Sequence, residues 1–194
     1  MAQLLLRFSC AIVAVVGVFM TGCAGPDPAT QTGATETGQE QLFEWNGYGM
    51  TGKTSIVIDL TTQRAEIYRG GQYAGWTSVA TGKAGFDTPA GNYTIVEKVA
   101  DKHSNLYGKI VDADGNTINP NADVRKDKPP VGGQFLFAPM PYWMRLTWSG
   151  IGMHAGPIPR PGTAASHGCI RLPDEMAELL FDITEKGTPV KGVR

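Results

Sequence analysis

From Ser55 to Val99 the chain is cut every few residues by tight-turn residues, and the runs between them are short and rich in β-branched and aromatic side chains. No segment there is long enough for a packed helix, so this stretch reads as short antiparallel strands. Ser55–Leu60, Arg64–Arg69 and Gln72–Val79 read as three strands of a meander, with Gly70-Gly71 as one of the turns. Asn92–Val99 reads as one further strand, with Tyr93, Ile95 and Val99 mostly alternating. Gln134–Ala138 and Arg145–Trp148 follow, the second leading into Gly150–Gly156. The 25 glycines and 13 prolines are scattered, which suits a turn-rich β domain and not a helical bundle.

Only one segment has helical periodicity. Met176, Leu179, Leu180 and Ile183 recur at the spacing of one helix face. Pro173 suits the first turn, Asp174 and Glu175 suit the positive end of the helix dipole, and Gly187 is placed to stop it. Thr188-Pro189-Val190 then begins a last strand. The expected fold is mainly β, a sandwich or barrel-like arrangement with one C-terminal helix.

Residues 100–134 are polar and read as irregular, with a hairpin turn at Asp112-Ala113-Asp114-Gly115. Asp112, Asp114, Asn116 and Asp123 are reminiscent of a calcium loop. The glycine stands at the fourth position instead of the sixth, however, and the twelfth lacks Glu, so no calcium site is expected. His103 reads as a solvated loop residue.

The first segment does not belong to the fold. Arg7 precedes a short apolar run, Phe8–Met20, too short to span a bilayer comfortably and suited to the core of an export signal. Met20-Thr21-Gly22-Cys23 then resembles a bacterial lipobox, in which the cysteine is lipidated and becomes the new N-terminus. Ordinary cleavage after Ala24 is the alternative. Residues 24–41 contain no large apolar side chain and read as a disordered tether. The expected organisation is a signal over 1–22, a lipidated cysteine and tether over 23–42, and one domain over 43–194. The protein is expected to be exported to the periplasm and held to a membrane at Cys23. Ala24 is not the Asp that retains lipoproteins at an inner membrane, so the outer membrane is favoured. Net charge is −1 and charged residues make up 18%, which leaves no basic excess for nucleic acid.

Of the three cysteines, Cys10 leaves with the signal and Cys23 is the lipidation candidate. Cys169 is then unpaired in an exported protein, which flags reactivity. It lies in Ser166-His167-Gly168-Cys169-Ile170-Arg171, downstream of His154. A free thiol, with a pKa of about 8.5, is only slightly ionised at neutral pH. An adjacent imidazole can take its proton and leave a thiolate–imidazolium pair able to attack a carbonyl. Gly168 lets the backbone turn tightly and brings N–H groups towards the oxyanion that forms. Arg171 adds a permanent charge suited to a substrate carboxylate. A zinc site would need more ligands than these two histidines and one cysteine, and His103 lies far off in sequence.

At these residues the chain resembles the L,D-transpeptidase catalytic (YkuD-like) family, which carries an upstream His and then Ser/Thr-His-Gly-Cys. The resemblance runs over about residues 53–190 and takes in Thr88-Pro89-Ala90-Gly91 and Gly187-Thr188-Pro189-Val190. It implies Cys169 as nucleophile, His154 as general base and the Ala155 carbonyl as the third triad member. The N–H groups of Gly168 and Cys169 would form the oxyanion hole, and His167 would shape the pocket. Arg171, Ser166, Tyr142 and Arg145 are the candidates for substrate contact. The loop between His154 and Cys169 is short for the family. The implied activity is transfer between peptidoglycan stem peptides through a Cys169 thioester, with no metal or cofactor and with the protein as a monomer.

Overall fold

The computed structural model describes residues 40–194 together with the backbone of Gln31–Thr32. The expected signal, Cys10, Cys23 and most of the tether lie outside the described residues. Gln31–Thr32 (β1) lies within the expected tether and pairs with Phe43–Trp45 (β2).

The meander forms as its alternation demands. Thr54–Asp59 (β3), Arg64–Arg69 (β4) and Gln72–Ser78 (β5) pair antiparallel, with Ile56 opposite Ile67 and Ile58 opposite Ala65. Those four side chains are buried on one face. Pro189–Val193 (β14) returns parallel to β3, setting Val190 beside Ile56. The large sheet runs β1-β2-β5-β4-β3-β14-β6, where β6 is Gly91–Thr94. A second sheet runs β13-β12-β11-β7, from Ile170–Leu172 (β13), Gly152–Ala155 (β12), Trp143–Arg145 (β11) and Glu97–Val99 (β7). One core joins them, with Ile56, Ile67 and Val190 meeting Met144, Met153, Ile170 and Leu172.

The helix, Asp174–Ile183 (α1), buries Met176, Ala177 and Leu180 in this core. It ends earlier than Gly187. Thr184 returns both its N–H and its Oγ1 to the Leu180 carbonyl, and the Lys98 ammonium caps the Phe181 and Thr184 carbonyls. Gly187, at φ +94°, turns the chain into β14 instead.

Three expectations need correction. Asn92–Val99 is not one strand. At Ile95 and Val96 the chain passes between sheets, Ile95 N–H bonding Thr188 O and Val96 N–H bonding Arg145 O. The strand expected at Arg145–Trp148 ends at Arg145, and a turn over 146–151 takes over, closed by Leu146 N–H to Ile151 O. Residues 100–134 are not irregular. His103–Val111 (β8), Thr117–Asp123 (β9) and Gln134–Pro139 (β10) form a third sheet, with β8 in the middle. Its hairpin turns at the expected aspartates. The Asp112 carboxylate accepts the N–H groups of Asp114 and Asn116, which organises that turn. His103 opens β8 and is exposed. Among the described residues no helix is long and apolar enough to cross a membrane.

The helix is held chiefly by its buried face. Leu180→Ala should therefore lower unfolding free energy by about 2–5 kcal/mol, while Leu179→Ala, at a half-buried position, should cost less. Urea denaturation of both variants checks this.

Candidate active site

The site is built on the parallel pair β12–β13. His154 stands opposite Arg171 and Met153 opposite Ile170. Side chains alternate along a strand, so Met153 and Ile170 enter the core while His154 and Arg171 share the other face. Cys169 directly precedes β13, two positions from Arg171, and so falls beside them.

His154 is buried, and its Nδ1 lies 2.7 Å from the Ala155 carbonyl oxygen. A carbonyl only accepts, so Nδ1 carries the proton and Nε2 keeps a free lone pair. Burial is the main reason the His154 pKa falls to about 4. The Ala155 carbonyl opposes that fall and the Arg171 charge adds to it. The Cys169 thiol donates to the Gly150 carbonyl at 3.6 Å. Burial raises its pKa, against weaker pulls from the Gly152 N–H and the charges of Arg171 and Arg145. Burial penalises both ions, and thiol and imidazole rest neutral. The proton has to move when a carbonyl arrives.

The nucleophile loop corrects two further roles. Gly168 takes φ +115°, which only glycine adopts readily. Its N–H donates to Ser166 Oγ at 3.0 Å, so it is not free to serve an oxyanion. Ser166 is almost fully buried, and its hydroxyl donates to the Cys169 carbonyl. It braces the loop from within and offers nothing to substrate. A residue given no role from sequence completes the brace. Thr88 Oγ1 donates to the Gly168 carbonyl at 2.8 Å and accepts the Gly82 N–H at 2.9 Å. The signal for it was the Thr88-Pro89-Ala90-Gly91 turn.

The His167 ring stacks on Tyr107 at 4.4 Å and meets Phe86 edge-on at 4.7 Å. It forms a wall of the site, and burial lowers its pKa, helped by Lys83 and Arg171. Tyr107 comes from β8, so the third sheet contributes to the site, which sequence reading missed. Arg171 is half-buried, reaches the Pro157 carbonyl at 3.5 Å, and has no carboxylate within 4.0 Å among the described residues. Arg145 is already paired with Glu97 at 2.7 Å and lies against Trp143 and Trp148. Tyr142, at φ +57°, turns towards α1. Its ring lies 5.9 Å from Phe181 and packs against the core, and the nearby Glu178 carboxylate raises its pKa, so it faces the helix. Among the described residues no cluster of three or more His, Cys, Asp or Glu could hold a metal.

The burial of neutral His154 makes stability depend on pH. Its folded pKa of about 4 lies below its ordinary 6.5, so the unfolded chain binds a proton that the folded chain refuses. The stabilisation is complete above pH 6.5 and is lost as pH falls from there towards 4. Between pH 7 and pH 4.5 the wild type should lose about 2–3 kcal/mol more than His154→Gln, read by urea denaturation. Equal losses in the two proteins would mean the imidazole is not held neutral.

The L,D-transpeptidase catalytic domain family, YkuD, matches residues 53–191. No curated protein matches the chain. Among solved structures, an L,D-transpeptidase from Mycobacterium smegmatis is similar at 21% identity and TM-score 0.55, over 73% of this chain and 59% of that one. An Enterococcus faecium L,D-transpeptidase is similar at 29% identity and TM-score 0.54, over 74% of this chain and 50% of that one. The isolated catalytic domain of an E. faecium L,D-transpeptidase is covered over its whole length, at 30% identity and TM-score 0.52, by 75% of this chain. The chain thus spans about half to three-fifths of the longer proteins and all of the isolated domain. On this match across most of its length, the chain belongs to the L,D-transpeptidase catalytic domain family.

Proposed function

We propose that the protein is a peptidoglycan L,D-transpeptidase that works through a Cys169 thioester. The observation that carries this reading is the shared face of β12 and β13. It holds a thiol, an imidazole whose Nδ1 is fixed by the Ala155 carbonyl, and an arginine without a carboxylate partner. That set suits attack on a peptide carbonyl close to a free carboxylate.

In the forward step, Cys169 Sγ bonds to the carbonyl carbon of the third residue of a donor tetrapeptide stem. Its proton passes to His154 Nε2, and the carbonyl electron pair moves onto oxygen. On collapse the bond to the terminal D-Ala breaks, and His154 returns the proton to the leaving amine. Arg171 pairs with the carboxylate of that D-Ala. A side-chain amine from a neighbouring stem then attacks the thioester, freeing the thiol and leaving a crosslink between the third residues of two stems. No cofactor enters these steps. His154 and Cys169 both rest neutral, so the proton transfer creates charge only as the new bond forms.

The Cys23 lipid anchor, with the tether behind it, holds the domain to a membrane on the periplasmic side, the outer membrane favoured, where wall peptides are within reach. The enzyme acts as a monomer.

Incubation with tetrapeptide-bearing muropeptides should release D-Ala and yield dimers, and Cys169→Ala should do neither. Release without dimers would assign the thioester to water. Transfer onto a lysine-bearing lipoprotein would assign it to anchoring. A carbapenem should add its mass once to the wild type and not to Cys169→Ala, and an adduct that persists in the variant would overturn the nucleophile. Cys23→Ser should leave the membrane fraction or retain its signal. Unchanged fractionation and mobility would favour cleavage after Ala24.

A further inference from the structure

We infer that Thr88 is a positioning residue for acyl transfer. It aims the Cys169 N–H at the oxyanion by fixing the Gly168–Cys169 peptide. The inference rests on acyl chemistry at Cys169, though not on the identity of the peptide substrate.

Three of the four backbone polar groups of Gly168 and Cys169 are held internally. Gly168 and Cys169 together present two N–H groups and two carbonyls. Ser166 Oγ accepts the Gly168 N–H and donates to the Cys169 carbonyl. Thr88 Oγ1 donates to the Gly168 carbonyl. The fourth group, the Cys169 N–H, makes no hydrogen bond among the described residues. Backbone donors in a folded chain are normally paired, so one left free beside a half-buried nucleophile is available to a ligand.

The direction of that N–H follows from peptide geometry. In a planar trans peptide, the carbonyl of one residue and the N–H of the next point in opposite directions. Thr88 holds the Gly168 carbonyl on the inner side of the loop, which turns the Cys169 N–H to the outer side. Gly168, at φ +115°, has a range of backbone conformations open to it that another residue lacks, so without this anchor the peptide could rotate. Thr88 is itself fixed. It is buried, and its oxygen accepts the Gly82 N–H. Gly82 passes so close to the Phe86 carbonyl that a Cβ would lie 1.8 Å from it, which locks the loop carrying Thr88 against its own start. The proton of the hydroxyl and one of its lone pairs are used internally, so it has no hydrogen to donate to substrate.

Two reagents separate aiming from general support. With p-nitrophenyl acetate, Cys169 Sγ attacks the ester carbonyl, negative charge develops on its oxygen, and collapse expels p-nitrophenolate and leaves an acetyl thioester. Iodoacetamide reacts by displacement of iodide at carbon and forms no oxyanion. Rates are read on the purified full chain as the difference from Cys169→Ala, which removes the contribution of other thiols. Loss of one oxyanion donor typically costs about 10²–10³-fold. Thr88→Val should therefore slow the p-nitrophenolate burst by at least about 10-fold and leave iodoacetamide alkylation within about twofold of wild type. Thr88→Ser, which keeps the donor, should restore the burst. If Thr88→Val does not fold, Thr88→Ala, whose vacated space admits a water, replaces it with the same expected direction. A burst unchanged in the variant overturns the inference, and so does a parallel loss of both rates, which would make Thr88 a support for the whole loop. D-Ala release by the wild type is scored separately, so failure of the peptidoglycan reading cannot be mistaken for failure of this one.

Discussion

The parallel register of β12 against β13 is the constraint on which the site depends. His154 and Cys169 lie far enough apart in sequence that only this pairing makes them neighbours. A slip of one residue would put Arg171 and Cys169 into the core and Ile170 onto the reactive face. Several interactions prevent the slip. Met153, Ile170 and Leu172 are buried below the pair. Arg171 exchanges two backbone hydrogen bonds with Ala80, and Ala165 and Ser166 both donate to the Thr81 carbonyl. The large sheet thus extends through residues 80–82 to grip the loop that carries the nucleophile, and β13 is fixed from both sides.

The same burial that enforces geometry sets the charge state. A thiolate and an imidazolium so close to Arg171 would have to be stabilised against desolvation, and the positive neighbour favours only the thiolate. Both groups rest neutral as a result. A resting neutral thiol is protected from adventitious alkylation and oxidation. Catalysis then depends on groups that respond to charge as it develops, namely fixed backbone donors and the lone pair of His154 Nε2.

Much of this was legible in the sequence, because the signals were local. Alternation gave β3, β4 and β5 almost to the residue, and helical spacing gave α1. The Ser166–Arg171 motif and His154 gave the reactive centre. What was missed depends on tertiary partners. The third sheet was hidden because β8 and β9 have one largely solvated face and little apolar period. The break at Ile95 was hidden because β-branched residues suit a strand in either sheet. Ser166 and Thr88 look alike as sequence, small polar residues in turns. Only the hydrogen bonds distinguish a brace from a substrate contact. The side of the chain on which Tyr142 packs was equally hidden, since its contact with Phe181 of the helix is tertiary.

The third sheet also explains why the pocket wall and the reactive loop are one mechanical unit. His167 sits between Ser166 and Gly168, whose backbone is pinned by two hydroxyls. Its ring is held by Tyr107 from β8 and by Phe86 from the loop that ends at Thr88. Tyr107 is held in turn by Arg125, whose guanidinium bonds both its hydroxyl and Asp123. Displacing the third sheet would therefore pull on His167 directly and on Gly168 through one peptide bond. Substrate that packs against the aromatic wall would press on the same backbone that presents the Cys169 N–H. The aromatic wall at His167 and the Cys169 N–H are thus separated by a single residue of chain, Gly168.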